Sequence, residues 1–546
     1  MLPRMFPRWL LLLCLGWPCL GAASAAELLP PETPIPRAID HYIGAALADQ
    51  QIPAAPPVGD AAFLRRVTLD LAGRIPTLAE LDDYERQSPS DKRERLVERL
   101  LSSPDFAWHQ RNEWDVMLLG DKESSAEWRD YLLAAVRENR PWDQIFTDVL
   151  SAKEDDRERR GALQFLKARG RDLDTMTNDT SVLFFGVNVA CAKCHDHPLV
   201  DDWKQDHYYG LSAFFARTYL TKSRRLAEKG TAEVKFKTTQ GVEKTARLMF
   251  LSGAVAEEVP VAWTDEQRKA EEEEVRRQQK EDNAPPPPPP AFSPRMELVA
   301  LALRPENRRF LARNAVNRLW ARLFGRGLVH PLDQMHSGNS PSHPELMDWL
   351  ERDFVAHGYD VRRLLRGMVL SETYARSSAW TENGPTPPPE SFAFMAVRPL
   401  TPKQLSLSLA VATTSPRQWA DGESSQWIAQ RQNLEAQAQG FAGLIEQPGE
   451  HFQVSVTEAL LFANGERVQN EFLRDGTDRL VHLLRQEPDE SAAITRAFRT
   501  VLSRDPDAEE RFTVETYLSQ RRDRPAAAWQ QVIWALATSP EFRFNH

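Results

Sequence analysis

Between Thr264 and Asn283 the chain carries eight acidic and five basic residues and almost nothing apolar, and Pro285 to Pro290 follows as an unbroken proline run. Charge without apolar surface cannot repay the entropy of ordering, and polyproline is a stiff, extended spacer. No single core can be read across such a stretch, so the pattern predicts two separately folded parts. A partner that docks polyproline would be the functional use of the run. Length agrees with two parts or more: 546 residues at roughly 100–200 per domain. With 42% hydrophobic and 27% charged residues the chain has material for cores, which excludes a wholly disordered chain and a polytopic membrane protein. A net charge of -10 argues against a general nucleic-acid binder.

The first residues read as an address. Arg4 and Arg8 precede an apolar run from Trp9 to Leu20, and Ala23-Ser24-Ala25 supplies small residues at a cleavage site. Residues 1–25 are therefore expected to be a signal peptide, and the mature chain to be exported, periplasmic or secreted. Lipidation at Cys14 or Cys19 is disfavoured by Leu13 and Pro18. No later stretch approaches the ~18 apolar residues of a transmembrane helix.

The remainder reads as mainly α. Helices are predicted from Ala38 to Leu47, Ala61 to Leu71, Arg93 to Leu101 and Asn307 to Phe324, with apolar residues at helical spacing. Thr77/Glu80, Ser342/Glu345 and Thr401/Gln404 carry the spacing of capping boxes. His343 beside Glu345 invites a catalytic reading, but capping already explains its neighbours. Tryptophans 108, 114, 128 and 142 read as packing residues. Alternation from Glu233 to Thr239 and an apolar stretch from Arg247 to Val261 suggest a small β-containing excursion. The expected organisation is a helical domain over 26–219, the excursion over 220–263, the charged and polyproline linker over 264–290, and a second helical domain over 291–546.

One repeat is visible. Gly73-Arg74-Ile75-Pro76-Thr77, Glu80 and Ser103-Pro104-Asp105-Phe106 reappear as Ser503-Arg504-Asp505-Pro506-Asp507, Glu510 and Ser539-Pro540-Glu541-Phe542. Both copies are expected to form the same arrangement: helix, Arg-x-Pro turn, capped helix, and a helix ending at Ser-Pro.

Removal of the signal peptide leaves two cysteines, both in Cys191-Ala192-Lys193-Cys194-His195. Thiols two residues apart on one turn can reach both vinyl groups on one edge of a haem, and the following histidine can bind the iron. Cys191, Cys194 and His195 are thus the candidate residues for covalent haem c, in an electron carrier or a haem-dependent oxidation catalyst. His207 is a candidate second metal ligand or distal hydrogen-bond donor, because the chain can turn back past Pro198 and Trp203. Three alternatives remain open: a dithiol redox pair, a structural zinc held by both cysteines and two of His195, His197 and His207, and a plain disulfide. The last two would suit a non-enzymatic scaffold or binding protein of the cell envelope.

The stretch Phe63 to Thr77, the run Cys191 to Pro198, Asp206 to Phe215, Asn317 to Trp320, Phe324 to Leu328, Pro341 to Glu345 and the closing Ser-Pro-Glu-Phe-Arg-Phe-Asn-His together resemble planctomycete-type secreted proteins that pair domains of unknown function 1549 and 1553. The resemblance covers nearly the whole mature chain and implies export and an association with cytochromes. As partners it implies a redox protein or a secreted sulfatase-like protein. It implies no activity.

Overall fold

The computed structural model describes residues 28–196, 200–257, 263–282, 284–285, 290–382, 384–419, 425–448 and 455–546. The signal-peptide segment, His197 and most of the proline run lie outside the described residues. The protein is mainly α-helical; among the described residues the only sheets have two strands each.

The first half builds α1 (Ile35–Asp49), α2 (Asp60–Ala72), α3 (Leu78–Arg86), α4 (Lys92–Ser102), α5 (Pro104–Leu119), α6 (Ala126–Arg137), α7 (Trp142–Ser151), α8 (Gln164–Lys167), α9 (Leu173–Thr180) and α10 (Gln205–Ala213). Two antiparallel hairpins follow: β1 (Thr218–Leu220) with β2 (Leu226–Glu228), and β3 (Lys235–Lys237) with β4 (Glu243–Thr245). Then come α11 (Asp265–Lys280), α12 (Pro294–Ala302), α13 (Arg309–Phe324), α14 (Pro344–Ala356) and α15 (Val361–Val369). The last part is α16 (Pro402–Thr413), α17 (Ser425–Ala442), α18 (Val456–Asn464), α19 (Leu480–Gln486), α20 (Glu490–Leu502), α21 (Ala508–Ser519), α22 (Pro525–Ala537) and α23 (Pro540–Arg543). Strand β5 (Arg398–Pro399) pairs with β6 (Phe544–Asn545) at the C-terminus.

The expectation of separate cores on either side of 264–290 does not hold. One apolar core runs from Ile35 to Met395 and contains Phe185, Leu298, Leu311 and Trp320 alike. A second gathers Leu400 to Phe542, joined by Leu69 and Ile75 of the first half. The charged stretch is ordered as α11. Thr264 and Gln267 form a complete capping box, and Glu272–Arg276, Glu274–Arg277 and Arg277–Glu281 pair along its surface. A helix polar on all sides can persist on such pairs. It is also docked: buried Gln278 donates to the carbonyl of Pro285, and its own carbonyl accepts from Lys222 N–H at 2.8 Å.

Helix α2 ties the two cores together. Residues Phe63 to Ala72 are all buried, so its polar side chains must find partners inside the protein. Arg65 donates to the carbonyls of Val501, Glu541 and Phe542. Arg66 donates to those of Tyr374, Arg376 and His546. Burial pulls both guanidinium groups down to about 10. Asp70 receives Arg398 at 2.8 Å, the Tyr374 hydroxyl at 2.6 Å and Asn545 at 2.9 Å.

The repeat is present as a shared hydrogen-bond pattern. Arg74 clamps Glu80 and Asp105; Arg504 clamps Glu510 and Glu541. Thr77/Glu80 and Asp507/Glu510 are both full capping boxes. Ser103 and Ser539 each donate to the carbonyl three residues back and accept from the N–H of Phe106 and Phe542. The structure adds a third copy, α13–α14–α15. Its first helix ends at left-handed Gly325, as α2 ends at Gly73 and α20 at Ser503. Ser371 bonds Met368 and Tyr374 in the manner of Ser103 and Ser539. The arginine of this copy is Arg326, which faces Glu390 at 3.8 Å instead of its own helix start. The first copy lies between the others, α4 against α15 and α3 against α20.

The Ser342/Glu345 capping box is not formed. Pro344 pushes the residue before it out of helical geometry, so His343 becomes the N-cap, and the Ser342 hydroxyl meets the His343 ring at 3.1 Å.

Candidate functional site

The cysteine motif sits on a short turn held from two sides. Upstream, the helical segment ends at Gly186 in left-handed geometry (φ +71), where a Cβ would lie 2.8 Å from Met335 Sδ and 2.9 Å from Asn314 Oδ1. The chain then bridges Val187 to Gln334. Asn188 N–H donates to Asp333 O at 2.8 Å, and its side-chain amide donates to the Asp333 carboxylate at 3.0 Å. Asn188 Oδ1 accepts from Ala190 N–H at 3.1 Å and so starts the 3₁₀ turn Ala190–Lys193.

Downstream, buried Gln205 at the start of α10 is the main anchor. Its side-chain amide donates to Lys193 O and Cys194 O, its Oε1 accepts from Thr239 N–H, and its N–H donates to Asp196 Oδ1. The Tyr209 hydroxyl donates to Lys193 O at 3.0 Å, and the Tyr209 ring stacks on Phe236 of β3 at 4.2 Å. Lys193 pairs with Asp174, which also receives the Tyr208 hydroxyl. Hydrogen bonds from Lys193 and Tyr208 lower the Asp174 pKa, and the same contact raises that of Lys193.

On this platform only the small Ala192 side chain is buried. Cys191 and Cys194 are free and exposed, and His195 is exposed beside them. His195 Nδ1 lies 2.7 Å from Asp196 O. A carbonyl can only accept, so Nδ1 carries a proton, and in the neutral ring Nε2 is then the nitrogen with the lone pair. That is the tautomer of a histidine prepared to bind a metal through Nε2.

His207 is placed differently. It lies at the third residue of α10, where Nδ1 accepts from Lys204 N–H at 3.1 Å and its ring meets Trp203 edge-on at 6.0 Å. Burial lowers its pKa, with Asp206 partly opposing the shift. Its first role is therefore to cap a helix. Among the described residues no three His, Cys, Asp or Glu side chains are grouped to hold a metal ion, so His195 and His207 are not brought into one such cluster with the cysteines. His343 is 5% exposed, packs on Phe392, and is drawn down to about 4 by burial.

The comparisons agree with this layout. A model described as PSCyt2, protein of unknown function (DUF1549), matches residues 38–219, and one described as PSD1, protein of unknown function (DUF1553), matches 294–450. The chain belongs to the proteins that pair these two domains. The DUF1549 region contains the first repeat copy and the cysteine turn; the DUF1553 region contains the copy α13–α14–α15. No curated protein and no solved structure matches the chain. Among the described residues no helix is long and apolar enough to cross a membrane.

What the sequence did not reveal is the support around the motif. Gln205, Asn188 and Tyr209 carry no signature of their own. Their roles arise because segments 186–189, 333–335 and 237–239 meet at one turn.

Proposed function

We propose that the chain is an exported c-type haem protein of the cell envelope, acting in electron transfer or haem-dependent oxidation. Cys191 and Cys194 would hold the haem through thioethers, and His195 would ligate it through Nε2. When bound, the group supplies one-electron chemistry at the protein surface. The observation that carries the reading is the pairing of two free, exposed thiols on one turn with a histidine whose Nδ1–H is committed to a backbone carbonyl. This chain's own residues do the positioning. Gln205 and Tyr209 fix the carbonyls of the turn, Asp196 O sets the tautomer of His195, and the Tyr209–Phe236 stack provides an apolar neighbour. Exposure of both thiols lets a maturation enzyme reach them and leaves a face open to a redox partner.

The test is expression of the full chain in a host with cytochrome c maturation, followed by intact mass and absorption spectra. One covalent haem and a Soret band are expected, both lost in Cys191→Ser/Cys194→Ser. An unmodified mass from that host, with one zinc per chain or a Cys191–Cys194 disulfide, would overturn the reading in favour of an envelope binding protein.

A further inference from the structure

Helices α5, α16 and α17 bring three side chains together where the first half of the chain meets the second. Lys403 Nζ donates to Asn112 Oδ1 at 2.9 Å and to Glu435 Oε1 at 3.2 Å. Asn112 Nδ2 donates to the same Glu435 oxygen at 2.8 Å. An amine, a carboxamide and a carboxylate thus close a triangle. Asn112 is 4% and Glu435 6% exposed, so water is kept from two of its corners. The Lys403 side chain, 18% exposed, leads out to solvent.

The contacts assign the roles. A lysine amine that has lost its proton is a nucleophile, and the carboxamide beside it is an acyl group with a leaving nitrogen. Glu435 Oε1 lies within hydrogen-bond reach of both nitrogens and can carry protons from one to the other. Held at about 2, Glu435 passes a proton on and does not keep it. Two features work against the charge on Lys403. Burial lowers its pKa and Arg111 adds to the shift, with Glu435 opposing. Lys403 is also the second residue of α16, where the helix dipole disfavours a cation. The charge count points the same way. Among the described residues, direct pairs join Arg74, Arg111, Arg431 and Lys403 to Glu80, Asp105 and Glu435, four cations to three carboxylates. Conversion of Lys403 to a neutral amide leaves three against three.

We propose that Lys403 and Asn112 join in an intramolecular isopeptide bond. Lys403 Nζ slides from the Asn112 oxygen toward Cγ, by one C=O bond length of ~1.2 Å. The Nζ–Cγ bond forms and the Cγ–Nδ2 bond breaks. Two protons pass from Nζ to Nδ2 by way of Glu435 Oε1, and Nδ2 leaves as ammonium. One lysine ammonium and one carboxamide become one secondary amide and one ammonium ion, with no oxidant or other co-reactant. The bond ties the 38–219 region to the 294–450 region across 291 residues of chain. It does not depend on haem at the cysteine turn.

Intact mass and peptide mapping of the denatured full chain, made in a host without cytochrome c maturation, decide it. The protein should weigh one ammonia less than its mature sequence, and protease digestion should release a branched peptide containing both Asn112 and Lys403. Both signs should be lost in Lys403→Arg, which keeps the charge, and in Asn112→Ala. Glu435→Gln should form the bond about a hundredfold more slowly or worse. The wild-type mass and map decide the bond whether or not a variant folds. Full mass in folded wild-type protein with Asn112 and Lys403 on separate peptides, or an ammonia loss that maps to another residue, would overturn the proposal. Equal bond formation in Glu435→Gln would overturn the proton relay.

Discussion

Arg74 and Arg504 occupy the same place in two copies of one motif. Each follows a left-handed residue, Gly73 or Ser503. Each donates twice to the glutamate three residues past a helix cap, twice to the acid two residues past a capping serine, and once to the next residue's carbonyl at 3.0 Å. Their surroundings differ. The Arg74 side chain is 2% exposed and lies over Trp427 at 4.8 Å; Arg504 is 34% exposed. Asp105, the partner of Arg74, is shared with Arg431, and Arg431 reaches Glu435, which also receives Arg111 and Lys403. In the Arg74 copy the turn opens into an ionic network between the two cores; in the Arg504 copy it ends at solvent. Identical local bonds therefore have unequal value, because a buried charge that loses its partner cannot turn to water.

The largest expected effect is that of Arg74→Ala. It leaves Glu80 without its buried cation and Asp105 with Arg431 alone, and should cost about 3–5 kcal/mol in urea unfolding of the full chain. A loss comparable to that of an exposed pair would break the comparison.

Next comes the acid response of Glu435. Burial alone would raise its pKa, but Arg431, Lys403 and Arg111 outweigh burial and hold it at about 2. The folded value lies below the ordinary carboxylate value, so the stabilisation is fully present above about pH 4.5 and is lost as pH falls toward 2. The shift corresponds to roughly 3 kcal/mol. Glu435→Gln should lower stability at pH 7 and flatten the stability profile between pH 4.5 and 2. An unchanged acid limb would place the network's charge elsewhere.

Arg504→Ala should have the smallest effect, about 1 kcal/mol or less, and added salt should shrink it further. If it matched Arg74→Ala in the same urea assay, burial would not be what separates the two turns.

Much of the local structure was legible. The helix over Ala61 to Leu71 appears as Asp60–Ala72, and Thr77/Glu80 and Thr401/Gln404 are complete caps, because these signals act within one or two turns. The charged stretch misled for a related reason. Its lack of apolar residues outweighed the Thr264/Gln267 cap and the internal ion pairs that make it a helix. The third repeat copy was hidden because its arginine turns to Glu390, and a long loop separates Gly325 from α14.

By itself the sequence determined the helices, their caps, the Arg-x-Pro turns and the presence of Cys191, Cys194 and His195 on one short segment. All of these follow from periodicity and from hydrogen bonds between near neighbours. Tertiary structure alone decided that one core spans both family regions, that Arg65 and Arg66 meet carbonyls some 300 to 480 residues away, and that the cysteine turn is clamped by Gln205 and by the 333–335 segment. It also decided which of two like arginines is buried. Burial is set by what packs from elsewhere in the chain, and no local pattern contains that information.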